Sequence, residues 1–120
     1  MRHKHGYRKL GVNTGHRKAL LRSLARAIIL NERITTTDAR AKEMVRFVSG
    51  LVTLAKKETL SARRQALSIL PHKKVVDKLF SEIGPRFADV NGGYLRCFKL
   101  GYRKGDGAPV SIVEFSKKKS

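Results

Sequence analysis

From Leu20 onward the apolar residues Leu20, Leu21, Leu24 and Ile28 return at three- and four-residue intervals, the spacing of one helix face. Asn13 or Thr14 can cap this helix, and the pattern carries it to about Asn31. Lys18, Arg22 and Arg26, each four apart, form a stripe on the opposite side. Glu32 to Thr36 reads as a short strand, with Ile34 followed by β-branched threonines. Thr37 or Asp38 then caps a second helix, and Asp38 in its first turn suits the positive helix end. Ala41, Met44, Val45, Val48, Leu51, Val52 and Ala55 give the cleanest helical period in the chain and predict the central core helix. Met44 and Phe47 there read as packing rather than as a cofactor contact.

Lys56 and Lys57 close that helix, and Thr59 or Ser61 opens a third. Leu60, Ala66, Leu67 and Leu70 supply its apolar side before Pro71 stops it. A fourth helix is predicted from about Lys73 to Ile83, burying Val76, Leu79, Phe80 and Ile83, with Gly84 as its C-terminal cap and Pro85 forbidding continuation. Asp89 to Gly93 reads as a loop. Tyr94 to Leu100 and Val110 to Phe115 read as strands, joined through the basic, glycine-rich Gly101 to Gly107 into an antiparallel hairpin. Neither an internal repeat nor a long linker interrupts the chain. The division expected is a basic arm over 1–14, one globular domain over 15–116 and a basic tail over 117–120.

Charge changes this picture most. Lys and Arg number 27 against 9 Asp and Glu, a formal net charge of +18 with a sequence pI near 10.9. Such an excess repels itself and asks for a polyanionic partner: RNA or DNA first, an anionic membrane surface a distant second. The first thirty residues hold Arg2, Lys4, Arg8, Lys9, Arg17, Lys18, Arg22 and Arg26, with His3, His5 and His16 between them and no acid before Glu32. Up to Asn13 the only sizeable apolar or aromatic residues after Met1 are Tyr7, Leu10 and Val12, too little burial to offset ordering entropy. Lys and Arg near phosphate release condensed counterions, and rings such as Tyr7 or imidazole stack on unpaired bases. The segment therefore reads as an arm that orders on RNA. A signal or transit peptide and a merely solvated tail are the competing readings, and Arg22 and Arg26 interrupt the apolar run that a secretory signal needs. No run of eighteen apolar residues exists to span a bilayer.

Routes to catalysis fail on inventory. The nine acids are scattered singly, so no carboxylate pair is visible. Cys97 is the one cysteine; it excludes an internal disulfide, fits a reducing compartment and, within a predicted strand, reads as a buried structural thiol. The histidines of the arm lack a fourth ligand for a metal, and Gly105-Asp-Gly107 has no strand–glycine–helix context for a phosphate loop. The expectation is no enzyme, no cofactor, no metal and no small-molecule substrate.

Several blocks together resemble a known family. They are Met1-Arg-His3, Gly15-His-Arg-Lys-Ala-Leu20, Ile34-Thr-Thr-Thr37 with Ala41-Lys-Glu43, Leu54-Ala-Lys56 and Ala62-Arg-Arg64. Leu79-Phe80 with Gly84-Pro-Arg-Phe87, Gly92-Gly-Tyr94 with Arg96, and Gly105-Asp-Gly-Ala-Pro109 complete the set. In this order and spacing the chain resembles the L-seventeen family of bacterial-type large-subunit ribosomal proteins over nearly its whole length. The resemblance implies helices packed on a small sheet. With the pattern above it gives an α+β fold: a basic N-terminal arm, about four helices on a small mixed sheet, and a C-terminal antiparallel hairpin. It also implies a structural role in the large subunit, binding rRNA of the 23S type near the outer end of the peptide exit tunnel, beside neighbouring large-subunit proteins. With the match beginning at Met1, the transit-peptide reading loses most of its weight, and a ribosome-bound protein of a bacterial cytoplasm is expected.

The phosphate contacts expected are Arg2, Lys4, Arg8, Lys9, Arg17, Lys18, Arg22 and Arg26, then Arg86, Arg96, Arg103 and Lys104. His3, Tyr7 and Tyr94 are candidates to stack on bases, and His16 to add charge near phosphate. Arg63 and Arg64 either touch RNA or only balance the local surface. The alternatives from other classes are a free architectural nucleic-acid-binding protein and a cationic membrane-surface protein.

Overall fold

A computed structural model describes residues 14–117; the expected arm up to residue 13 and the end of the tail lie outside these residues. The elements run α1 (Thr14–Asn31), β1 (Arg33–Thr37), α2 (Asp38–Lys56), α3 (Leu60–Ile69), α4 (Lys73–Lys78), a π-helical turn (Leu79–Ile83), α5 (Gly84–Arg86), β2 (Leu95–Tyr102) and β3 (Pro109–Phe115). The class is α+β, as the periodicity predicts.

The sheet is antiparallel throughout rather than mixed, in the order β1-β3-β2. The last strand enters the middle and pairs on one side with β1, Ile34 opposite Val113, and on the other with β2, Cys97 opposite Val113. The β2–β3 ladder slips between Lys99 and Gly101, so Leu100 is an extra residue opposite β3. Gly101 takes φ +138 there, a value that L side chains rarely adopt.

Helix α2 lies against all three strands and against α1, α3, the π turn and α5, which makes it the centre of the core. Ala41, Met44, Val48, Leu51, Val52 and Ala55 are buried along it, as the period predicts, while Val45 is half-buried. Thr37 stands at its N-cap in extended conformation, and Asp38 turns its carboxylate to Ser111 Oγ (3.0 Å) and Lys42 Nζ (3.1 Å). Thr59 Oγ1 accepts from Ala62 N at 3.0 Å and so caps α3. Leu60, expected on the apolar side of α3, is exposed instead, because α3 turns Ala62 and Ala66 to the core.

The end of the fourth helix departs most from expectation. Neither Gly84 nor Pro85 stops it; the chain winds on through the π turn and α5 as far as Arg86. Pro85 fits because α5 begins as a fresh turn, where a missing N–H costs nothing. Gly84 stays right-handed (φ −55) and is needed for a different reason: a Cβ placed on it would stand 2.7 Å from the carbonyl oxygen of Ala55. The residue allows two helical backbones to touch. Below this crossing Phe87 is wholly buried, edge-on to Tyr94 with ring centroids 5.4 Å apart and tilted on Phe115 at 6.0 Å.

Candidate RNA interface

The basic stripe of α1 survives folding in part. Leu21, Ala25, Ile28 and Ile29 bury the apolar side of the helix, which leaves Lys18 and Arg26 exposed on the other. Arg22, between them, leans over and donates from Nε to the carbonyl oxygen of Ile69 at 2.9 Å. Ile69 is the last residue of α3, so the guanidinium closes an unpaired carbonyl at a negative helix end. Lys18, Leu21, Arg22, Phe47, Ser68 and Ile69 thereby line a shallow depression of about 250 Å³. A second depression of about 350 Å³ shares Leu21 and Phe47 and is lined by Arg17, Glu43 and Arg46.

Arg17 does not stand on the surface beside Lys18. It is only 8% exposed and lies with the buried Glu43 where α1 meets α2. His16, one residue earlier, is exposed. Arg46 joins this basic patch without having been singled out from sequence. It lies on the polar side of the core helix, and only the crossing of α1 over α2 brings it to one depression with Arg17 and Leu21 of α1.

Of the remaining candidates, four arginines already hold carboxylates. Arg63 Nη1 is 2.7 Å from Asp77 Oδ1, and its guanidinium lies 5.0 Å over the Phe80 ring. Arg86 reaches both carboxylate oxygens of Glu32, at 2.5 and 3.3 Å, and its side chain is 9% exposed. Arg96 Nη2 lies 3.0 Å from Glu114 Oε1, and Arg103 grips Asp106 within the hairpin loop. Arg64 and Lys104, by contrast, are exposed and have no ion pair among the described residues. Tyr94, a candidate for base stacking, is 5% exposed; its ring belongs to the core and its hydroxyl accepts from Lys56 Nζ at 3.1 Å. Hydrogen bonds from Thr53 and Lys56 hold that phenol below its usual value, against the upward push of burial. Arg2, His3, Lys4, Tyr7, Arg8 and Lys9 lie outside the described residues.

The acids sort the cations. Glu32 is pushed up by partial burial, yet hydrogen bonds from Arg86 and Lys78 bring it below the ordinary carboxylate value. Asp106 is lowered to about 2 by its hydrogen bonds from Arg103 and from the Ala108 N–H. Such pairs hold the fold together. The cations outside them form the electrostatic surface, an unbalanced basic band along α1 that Arg64 and Lys104 supplement elsewhere.

Cys97 differs from its expectation: it is exposed, on the edge strand β2, although Val113 opposite it on the central strand is buried. Among the described residues no three His, Cys, Asp or Glu side chains could hold a metal ion, and no helix is long and apolar enough to cross a membrane. What the surface can do chemically is neutralise phosphate.

Comparison with known proteins gives the same direction. The ribosomal protein L17 family model matches residues 20–116, which run from the second turn of α1 to just past the end of β3. The large ribosomal subunit protein bL17 of Natranaerobius thermophilus is 53% identical over 108 residues, 90% of this chain and 96% of that protein. The protein of the same name from Nitratidesulfovibrio vulgaris is 50% identical over 118 residues, 98% of this chain and 89% of that one. Relatedness at this level reaches from the basic helix through the buried Gly84 crossing to the hairpin. The chain belongs to the ribosomal protein L17 family, a family of ribosomal proteins and not of enzymes.

Proposed function

We propose that this protein is a constituent of the large ribosomal subunit that binds large-subunit rRNA of the 23S type, close to the peptide exit tunnel. The observation that carries the reading is the basic band of α1, which continues an acid-free segment of sequence while its other side is locked into the core. Lys18 and Arg26 on α1, Arg46 on α2, and Arg64 and Lys104 elsewhere on the surface neutralise backbone phosphates. Arg22 contributes from its place at the end of α3. The arm over 1–14 threads between RNA segments through Arg2, Lys4, Arg8 and Lys9, with His3 and Tyr7 stacking on unpaired bases. Arg63, Arg86, Arg96 and Arg103 serve the fold first, since a phosphate would have to displace a carboxylate already bound. The working compartment of the reading is a bacterial cytoplasm.

Sedimentation of a lysate on sucrose gradients, at moderate salt, at high salt and after ribonuclease, tests this. Stoichiometric travel with the large subunit through a moderate salt wash is expected. A chain that stays at the top of the gradient and binds DNA and assorted RNAs alike would replace the reading with a free architectural protein.

A further inference from the structure

The sheet has one face on α2 and one face open. Val113, Phe115 and Ser111 of β3 are buried on the helix side, while Ile112 and Glu114 alternate with them toward solvent. Residues directly opposite in an antiparallel ladder share a face. Thr35, Ile112 and Phe98 therefore form one row across the open face, and Arg33, Glu114 and Arg96 form the next. Along β2, Phe98 and Leu100 are 47 and 57% exposed, whereas Leu30 and Leu60 stand apart from them; Tyr102, beyond the bulge, is opposite Pro109 and so belongs to the other face. β2 is also an edge of the sheet. A cluster of apolar side chains on a free edge marks a binding surface.

Charge decides what binds. Glu114 lies 3.0 Å from Arg96 and 3.8 Å from Arg33, so a carboxylate sits between the two cations of the open face. The Arg96 guanidinium stands 5.6 Å over the Phe98 ring, where a base would have to stack. RNA would meet aliphatic surface, an occupied ring and a carboxylate. A second copy of this chain would bring another +18 against the first. We propose that the open face, centred on Phe98 and Ile112 with Leu100 at the bulge beside them, docks a different protein, one with an apolar surface rimmed by acidic side chains. The rim answers the positive charge left where Arg33 and Arg96 share the single carboxylate of Glu114 beside the apolar centre. The inference rests on the ribosomal reading only for where the partner is sought.

Replacing Phe98 by a photo-crosslinking benzoylphenylalanine in chain assembled into large subunits tests it, because Phe98 is 47% exposed on the edge strand and the replacement keeps an aromatic ring there. The expected result is one adduct with one other subunit protein, surviving ribonuclease and mapping to an apolar segment with acidic neighbours. In parallel, Phe98→Ser lowers retention in the subunit roughly ten-fold, as truncating an interface anchor does, with an unchanged salt slope. An adduct with RNA, an adduct with a second copy, or no adduct overturns the proposal, as does a Phe98→Ser chain retained like the parent. Those failures leave the ribosomal reading intact. A chain absent from the subunit fraction altogether overturns that reading, and the docking with it.

Discussion

Arg86 Nη1 lies 2.5 Å from Glu32 Oε1, across 54 residues of sequence, and ties α5 to the turn between α1 and β1. Glu32 takes part with a left-handed backbone (φ 69) in which its N–H still reaches Ile28 O at 2.8 Å. Lys78 joins from the other side, with Nζ 2.9 Å from Glu32 Oε2 and 3.2 Å from the Leu30 carbonyl. One residue thus turns the chain at the end of a helix and, through its carboxylate, gathers two cations. Glu32→Gln is expected to destabilise by about 1–3 kcal/mol, since the nearly buried Arg86 loses its counter-charge. Glu32→Gly should cost less, because glycine relieves the left-handed strain. Urea unfolding of both variants gives the order directly; a harmless Glu32→Gln would show the clamp to be idle.

The same carboxylate makes stability depend on pH. Its folded pKa lies below its ordinary 4.5, so the unfolded chain binds this proton more readily. Its contribution is whole above about 4.5 and is lost as pH falls through the lower folded value. The acid limb of a stability–pH curve should therefore flatten in Glu32→Gln. Parallel limbs in the two proteins would assign the acid sensitivity to other groups.

Gly84→Ala puts a methyl group 2.7 Å from the Ala55 carbonyl oxygen and 3.0 Å from its carbon, both backbone atoms that move only with α2. A loss of about 1–3 kcal/mol is expected, the usual range for overpacking. RNA affinity of the folded fraction should stay the same. Thermal unfolding together with binding at saturating folded protein separates these two outcomes, and an undiminished melting temperature would contradict the close crossing.

Two kinds of basic residue should behave differently toward salt. Lys18→Ala and Arg26→Ala each remove an exposed cation that has no ion pair among the described residues. Each phosphate left without its cation lowers the slope of log K against log salt by about 0.7–0.9. Arg63→Ala removes the partner of Asp77 and a cation over Phe80, so stability falls and the slope stays. Filter binding to an rRNA fragment over a salt series reads both. Equal slopes for all three variants would remove the distinction between fold cations and surface cations.

In the hairpin loop, Arg103 N donates to Ala108 O at 2.8 Å, Ala108 N donates to Asp106 Oδ1 at 3.1 Å, and Arg103 Nε meets the same oxygen at 3.1 Å. A carbon-detected titration should find Asp106 with a midpoint of about 2. Arg103→Ala should return it toward the ordinary 3.8, with the loop amides of 104–108 broadening or shifting in step. An Asp106 midpoint that ignores Arg103 would show the pair to be unformed in solution.

Where local pattern and tertiary demand agree, the elements were legible from residues alone. The period through Ala41 to Ala55 gave the central helix, and Thr59 gave a cap that forms as its residue type suggests. Misreadings arose where a distant backbone decides. Gly84 carries every local mark of a helix end, yet its role comes from Ala55, 29 positions earlier on another helix. Cys97 lies in a strand as expected, but that this strand is an edge of the sheet is decided by pairing with distant residues. For the candidate interface, charge and spacing located the basic face of α1, whereas ion pairing was invisible: Arg86 and Lys18 look alike in sequence until Glu32 arrives beside one of them. Arg46 was missed for the same reason in reverse, as a cation brought into the patch by helix crossing.

The strand order β1-β3-β2 has a consequence for the time course of folding. Neither outer strand has a partner until residues 109–115 have been made, because the central place is reserved for them. Helices α1 to α4 can form on local contacts while the chain is still being synthesised, but Ile34 waits for Val113. Closing that gap is a loop-entropy cost that no local contact offsets, so the sheet should be the slow, late event. During that interval Phe87 and the sheet-facing side of α2 remain uncovered while the basic helix is already in place, so an early encounter with polyanion would meet a folded α1 and an unfinished core.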